Sequence, residues 1–181
     1  MKHLFRVALL GMLVLPFGRV FAAANPSLVI DISVSIDSAV TLQWADATTA
    51  ARTWTIGAAN LATDYNTLSL IGNGNVFDVK NISQVPVTIT IGVTNQGNWI
   101  LKTMTGFPSA IDQFWIRVSK NNTDFSMGIE LPETGTTALV SAPGGLAKDA
   151  TQTVDLQFHT PTSVSQSSGG TIKVTMTGSA L

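Results

Sequence analysis

Apolar and polar side chains alternate along Leu28–Ile36, which reads LVIDISVSI. The apolar phase of this segment consists of Leu28, Ile30, Ile32, Val34 and Ile36. A strand places every second side chain on one face, whereas a helix would spread these five around its circumference. The segment is therefore predicted to be a β-strand with one dry and one hydrated face.

The same two-residue period returns along the rest of the chain, in short segments separated by Gly, Asn, Pro and Ser. Clear examples are Val85–Val93 and Thr171–Thr177. After residue 22 the chain contains 13 Val, 13 Ile and 23 Thr, but only two Glu and five Lys. β-Branched residues favour strands, while surface helices prefer Glu and Lys. We predict an all-β protein, a single antiparallel β-sandwich of immunoglobulin-like, Greek-key type with nine or ten strands.

The N-terminal 24 residues have the features of a secretory signal peptide. Lys2 and Arg6 precede the apolar run Val7–Leu15, and Ala22–Ala24 supplies the small residues that signal peptidase requires. A retained membrane anchor is the alternative, but spanning a bilayer takes about 20 apolar residues, more than this run contains.

We therefore predict a signal peptide at residues 1–24, cleaved after Ala22 or Ala24, and a β-sandwich domain at residues 25–181. The mature chain is expected to have no membrane span. Its predicted destination is extracellular, secreted or at the cell surface, with the periplasm as an alternative.

The composition excludes several kinds of chemistry. The chain has no cysteine, so it has no thiol catalysis, thiolate metal site or disulfide. After residue 24 it has seven Lys and Arg against eleven Asp and Glu, and it lacks the basic cluster typical of nucleic-acid-binding proteins. His159 is the only histidine there, which leaves no multi-histidine zinc site, and it is predicted to be a solvated strand-end residue.

Catalytic motifs are also missing. A Ser–His–Asp arrangement could in principle use His159 with Asp155, but no G-x-S-x-G motif accompanies them. The segment Asn121–Asp124 offers oxygen ligands for calcium, but Asn and Asp also serve turns, so a hairpin turn is the favoured interpretation and calcium binding is left open. We predict a protein that is not an enzyme and that has no cofactor.

The four tryptophans fall on two different phases. Trp44, Trp54 and Trp99 lie on the apolar phase of their strands and are predicted to be in the core. Trp115 lies on the opposite phase of its strand, as does Arg117. Exposed aromatic rings stack on sugars or pack against other proteins. Trp115 and Arg117 are therefore the candidate binding surface, for a glycan or for another subunit.

Two segments resemble a known group of proteins: Asp78–Ile91 (DVKNISQVPVTITI) and Leu146–Thr177 (LAKDATQTVDLQFHTPTSVSQSSGGTIKVTMT). Their order of motifs resembles immunoglobulin-like β-sandwich subunits of exported bacterial surface and matrix proteins. WxL-type cell-wall domains and camelysin/TasA-like matrix-fibre subunits have a similar order of motifs. The resemblance implies a sandwich fold and an extracellular structural setting.

These features together predict a secreted, non-enzymatic structural protein, a cell-surface or extracellular-matrix filament subunit that assembles through β-strand contacts. Its expected partners are copies of itself or other cell-surface proteins. In one hypothesis Leu28–Ile36 is a donor strand that completes a neighbour's sheet; in the other it is the first strand of its own sandwich. The alternative function is a secreted carbohydrate-binding or adhesion module, with glycans as ligands.

Overall fold

Short strands make up most of the chain. The computed structural model describes residues 27–36, 40–68, 77–107, 110–120, 124–166 and 168–181. Within these residues lie thirteen strands and a 3-10 helix at Met104–Gly106. The strands are β1 (Ser27–Ile36), β2 (Leu42–Trp44), β3 (Arg52–Ala58), β4 (Asp64–Asn66), β5 (Val79–Asn81), β6 (Val87–Asn95), β7 (Ile100–Leu101), β8 (Gln113–Lys120), β9 (Ile129–Glu130), β10 (Thr137–Val140), β11 (Thr151–Gln152), β12 (Val154–His159) and β13 (Ser168–Ala180). The all-β prediction is confirmed for this part of the chain.

The described strands outnumber the predicted nine or ten, and those missed include β4 and β11, which contain three and two residues. An alternating pattern needs about four residues to be recognised, so β4 and β11 leave no such pattern, whereas β2 and β7 were predicted from the alternation around Trp44 and Trp99. The predicted signal peptide, with its cleavage sites, lies outside the described residues. Within those residues, no helix has the length and apolar character to cross a membrane.

The strands form three sheets. Sheet A has the order β10-β6-β13-β1-β3, sheet B has the order β11-β5-β2, and sheet C has the order β4-β12-β8-β7, with β9 also paired to β8. Most neighbours are antiparallel, as predicted, but β1 pairs with β13 and β7 pairs with β8 in parallel. Parallel neighbours cannot be joined by a tight turn. β1 and β13 satisfy this condition because they are the first and last described strands.

One cluster of buried apolar side chains joins the three sheets. Trp44, Trp54 and Trp99 are all buried in it, as predicted. Trp99 stacks on Phe158 with ring centroids 6.2 Å apart, and Phe158 lies 5.3 Å from Phe114. Burying each of these aromatic side chains contributes on the order of 2–3 kcal/mol. The core therefore lies between the sheets and includes side chains from all of them.

Two apolar residues depart from the alternating pattern. Thr55 and Gly57 pair with consecutive residues of β1, so Ile56 is the extra residue of a β-bulge and is only half-buried. Met127 continues the alternation of Ile129 in the sequence, but it is 91% exposed because β9 begins only at Ile129. Both departures occur where strand pairing is interrupted or has not yet begun.

Candidate functional site

The candidate surface lies on the face of sheet C that points away from the core. In the antiparallel pairing of β12 with β8, Trp115 is opposite His159 and Arg117 is opposite Gln157. His159 is in turn opposite Asp64 of the edge strand β4. Residues that are directly opposite in antiparallel strands share a face. Asp64, His159 and Trp115 therefore form a row across three strands.

Trp115 is on the predicted face but is not an exposed ring. Only 6% of the residue is accessible, because the indole stacks on the His159 imidazole with centroids 4.9 Å apart and planes within 8°. The Arg117 guanidinium lies 5.7 Å from the indole centroid. The expectation of a freely exposed tryptophan on this strand is wrong, because long neighbouring side chains cover its ring.

His159 is the last residue of β12, so the predicted strand-end position is confirmed, but its side chain is only partly solvated. Its Nδ1 lies 2.5 Å from Oδ1 of Asp64, and the edge of the Phe107 ring approaches the imidazole at a centroid distance of 5.1 Å. Stacking on Trp115 completes the enclosure, and 19% of the side chain is accessible. The imidazole is therefore fixed in position by a carboxylate and two aromatic rings.

Arg117 connects this row to the neighbouring strand β9. Its Nη2 lies 3.4 Å from Oε1 of Glu130, the residue opposite it in the β8–β9 pairing, and its Nη1 donates to the carbonyl of Phe125 at 3.3 Å. Its Nε is buried without a hydrogen-bond partner among the described residues. A buried, unpartnered donor is unfavourable by about 1–3 kcal/mol. The Arg117 Nε–H is therefore an unsatisfied donor, and it offsets part of the stabilisation from the other contacts of the guanidinium.

These six side chains, named the outer-face cluster, are Asp64, Phe107, Trp115, Arg117, Glu130 and His159. A carboxylate on Nδ1 orients an imidazole as in a catalytic dyad. In the described structure, however, the partners of His159 are the carboxylate and two rings, and no hydroxyl is among them. Asp155, the partner considered from the sequence, instead accepts a hydrogen bond from the Thr67 hydroxyl at 3.1 Å. The cluster is suited to holding side chains in place and to hydrogen bonding, and it does not present an activated nucleophile.

No described group of three or more His, Asp or Glu side chains is placed to hold a metal ion. In the segment considered for calcium, residues 121–123 lie outside the described structure. Asp124 accepts hydrogen bonds from the backbone N–H and the hydroxyl of Ser126. The Ser126 hydroxyl is the main cause of the lowered pKa of the Asp124 carboxyl. Asp124 therefore stabilises a turn.

The candidate donor strand, β1, lies inside its own sheet. Leu28, Ile30 and Ile32 are buried in the core, and Val34 is half-buried. For Ile36 the structure describes the backbone and not the side chain. β1 pairs with β13 along its whole length on one side and with β3 on the other. In this structure β1 is an interior strand of its own sheet.

Sequence reasoning missed Asp64 and Phe107, and it did not connect Glu130 with Arg117. Glu130 could have been found, because β8 and β9 are close in sequence and place a glutamate opposite Arg117. Asp64 is 95 residues from His159, and no local pattern relates them. Only the strand order of sheet C brings the two together.

A scan against protein-family models finds no match for the chain, and a search of curated proteins finds none either.

Proposed function

We propose that the protein is a secreted, non-enzymatic structural subunit of a cell surface or extracellular matrix. In this proposal the chain is a single immunoglobulin-like, Greek-key sandwich that assembles through β-strand contacts. Copies exchange β1, so that the β1 of one molecule completes sheet A of the next. The leader-like composition of residues 1–24 and the absence of cysteine support an exported protein that is held together by its core.

The observation that carries the proposal is the position of β1. It is the first described strand, yet it occupies an interior position in sheet A, between β13 and β3. Its three buried residues Leu28, Ile30 and Ile32 belong to the core. Without β1, the sheet would divide and leave an apolar groove between β13 and β3.

An exchanged β1 would make the same contacts as the resident one. The register with β13 runs from Ser27 opposite Ser168 to Ile36 opposite Gly178, and a second copy offers an identical strand. Exchange of an identical element therefore leaves the packing and hydrogen bonds unchanged. Only the connection from β1 to the following strand has to differ, and that connection includes residues 37–39, which lie outside the described structure.

Cysteine pairs can test strand exchange because the natural chain contains no cysteine. The hydroxyls of Ser33 and Thr175 lie 3.1 Å apart on the outer face of sheet A, one on β1 and the other on β13. The double variant Ser33→Cys/Thr175→Cys should oxidise to a disulfide across this pair. Strand exchange predicts a ladder of covalent oligomers on a denaturing, non-reducing gel.

The matched control joins two strands that do not exchange in the proposal. The hydroxyls of Thr94 on β6 and Thr175 on β13 are also 3.1 Å apart. Thr94→Cys/Thr175→Cys should give only cross-linked monomers. Monomers from both pairs would contradict strand exchange and leave β1 as a strand of its own sandwich.

The outer-face cluster supports a second candidate, a carbohydrate-binding or adhesion module. Asp64, His159, Arg117 and Glu130 place donors and acceptors for sugar hydroxyls on one face. Because the ring of Trp115 is covered, binding would depend on these polar groups. A glycan array probed with the natural protein and with Arg117→Ala tests this candidate: loss of a glycan signal in the variant supports it, and absence of any signal from the natural protein contradicts it.

A further inference from the structure

The edge of sheet A formed by β3 is open. β3 is seven residues long, and among the described strands it pairs only with β1. In the described part of the chain, the backbone of residues 53–58 makes no hydrogen bond outside the pairing with β1. The outward N–H and C=O groups of an edge strand form a template on which another strand can pair.

Other edges of the described sheets are shorter, and two of them are capped by side chains. β7 has two residues, and the outward N–H of Leu101 donates to Oε1 of Gln96 at 2.8 Å. β10 has four residues, and the carbonyl of Leu139 accepts a hydrogen bond from Nζ of Lys120 at 3.2 Å. β2, β4 and β11 have three residues or fewer. β3 is therefore the longest strand with an open edge among those described.

The side chains of β3 suit pairing with another chain. Thr53 and Thr55 are exposed on the outer face, and Trp54 points into the core between them. The only charge on the strand is at its first residue, Arg52, which is paired with Asp46. Natural edge strands are commonly protected by Lys or Pro, and β3 contains neither.

The strand is also complementary to itself. An antiparallel pair of β3 strands centred on Trp54 places Thr53 of one copy opposite Thr55 of the other, on both sides of the centre. Directly opposite Thr–Thr pairs stabilise a sheet, and like charges directly opposite destabilise it. In this register Arg52 is opposite Ile56, so no like charges meet. Because of the bulge at Ile56, the regular part of this pair is Thr53–Thr55 of each copy, and Arg52 and Ile56 flank it.

From this geometry we infer that the β3 edge binds a second copy of this chain, as an antiparallel β3–β3 pair that joins two copies of sheet A. The inference deepens the proposed assembly function and rests on it. It assigns a symmetric contact between copies that is separate from the exchange of β1. A symmetric contact closes into a dimer, and strand exchange then connects one dimer to the next.

Sedimentation velocity of the full-length mature protein over a concentration series tests the inference. The natural protein should dimerise, and Thr53→Lys/Thr55→Lys should raise the dimer dissociation constant at least about tenfold, because lysines then face each other across the pair. Ser141→Lys/Ser179→Lys adds the same charge at exposed positions away from β3 and should leave dimerisation unchanged. Equal dimerisation of the natural protein and the Thr53→Lys/Thr55→Lys variant would overturn the inference, as would a natural protein that stays monomeric.

Disulfide formation tests the register and does not depend on the folding of the lysine variant. Mixed Thr53→Cys and Thr55→Cys proteins should form a disulfide-linked heterodimer faster than either protein forms a homodimer. Equal rates for all three combinations would overturn the register and with it the inference. The two experiments separate β3 pairing from strand exchange. If the Ser33→Cys/Thr175→Cys variant forms covalent oligomers but the β3 strands do not pair, the proposed function stands and the β3 contact is excluded. If the β3 strands pair but no covalent oligomers form, strand exchange is excluded and the β3 contact stands.

Discussion

β1 and β8 are both interior strands with a core-facing row of buried residues, but their opposite faces differ. On β1, the outward residues Val29, Asp31 and Ser33 remain half-exposed. On β8, the outward residues Trp115 and Ser119 are buried. The neighbours of β1 on that face are mostly short Thr side chains, with Lys173 opposite Asp31 as the one long exception among these pairs, whereas those of β8 include the aromatic ring of His159. The direction of a side chain is therefore set by its own strand, while its exposure is set by its neighbours.

The largest expected effect comes from the core face of β1. Ile30 is fully buried, and Ile30→Ala should lower the free energy of unfolding by about 2–5 kcal/mol, through lost burial and a cavity. Urea denaturation of the two proteins measures it. Val29→Ala, on the opposite face of the same strand, should cost less than about 1 kcal/mol. Equal losses from the two variants would mean that β1 does not separate a dry face from a hydrated one.

On β8 the opposite face should also contribute strongly to stability. Trp115→Ala removes a ring that is stacked on His159 and contacted by Arg117, and should cost about 2–4 kcal/mol. Thr177→Ala, on the outer face of sheet A, should change stability by no more than about 0.5 kcal/mol. If Trp115→Ala were as mild as Thr177→Ala, the outer-face cluster would add nothing to the fold, and the contrast between the two faces would disappear.

The same contrast explains what the sequence could and could not predict. Alternation placed Leu28, Ile30 and Ile32 in the core correctly and put Trp115 on the outer face, because both follow from the two-residue period of a strand. It could not predict that the ring is covered, because His159 is contributed by a different strand. The parallel pairing of β1 with β13 was not predicted either, because it joins the two ends of the described chain and depends on strand order.

Within the outer-face cluster, the pairing of Asp64 with His159 should contribute less than the ring stacking. The two side chains are partly solvated, and partly exposed polar pairs contribute about 0.2–1 kcal/mol. A double-mutant cycle with Asp64→Asn and His159→Gln, measured by urea denaturation, should give a coupling energy in that range. A coupling near zero would mean that β4 is held only by its hydrogen bonds and that the row across three strands ends at His159.

The smallest expected effect lies at Glu133, beside the outer-face cluster. Its Oε2 accepts a hydrogen bond from Nζ of Lys102 at 2.8 Å, and this bond is the main cause of the lowered pKa of the Glu133 carboxyl. A lowered folded-state pKa means that the carboxylate stabilises the fold above the pKa of the unfolded state, and that this stabilisation is lost as the pH falls through the folded-state pKa. Glu133→Gln should therefore lower the melting temperature slightly near pH 7, and this difference should shrink as the pH falls through the folded-state pKa of Glu133. In a Lys102→Gln background, Glu133→Gln should change the melting temperature less at pH 7, because the ammonium that lowers the pKa of Glu133 is gone. An equally large change in that background would mean that Glu133 acts through packing and not through its pairing with Lys102.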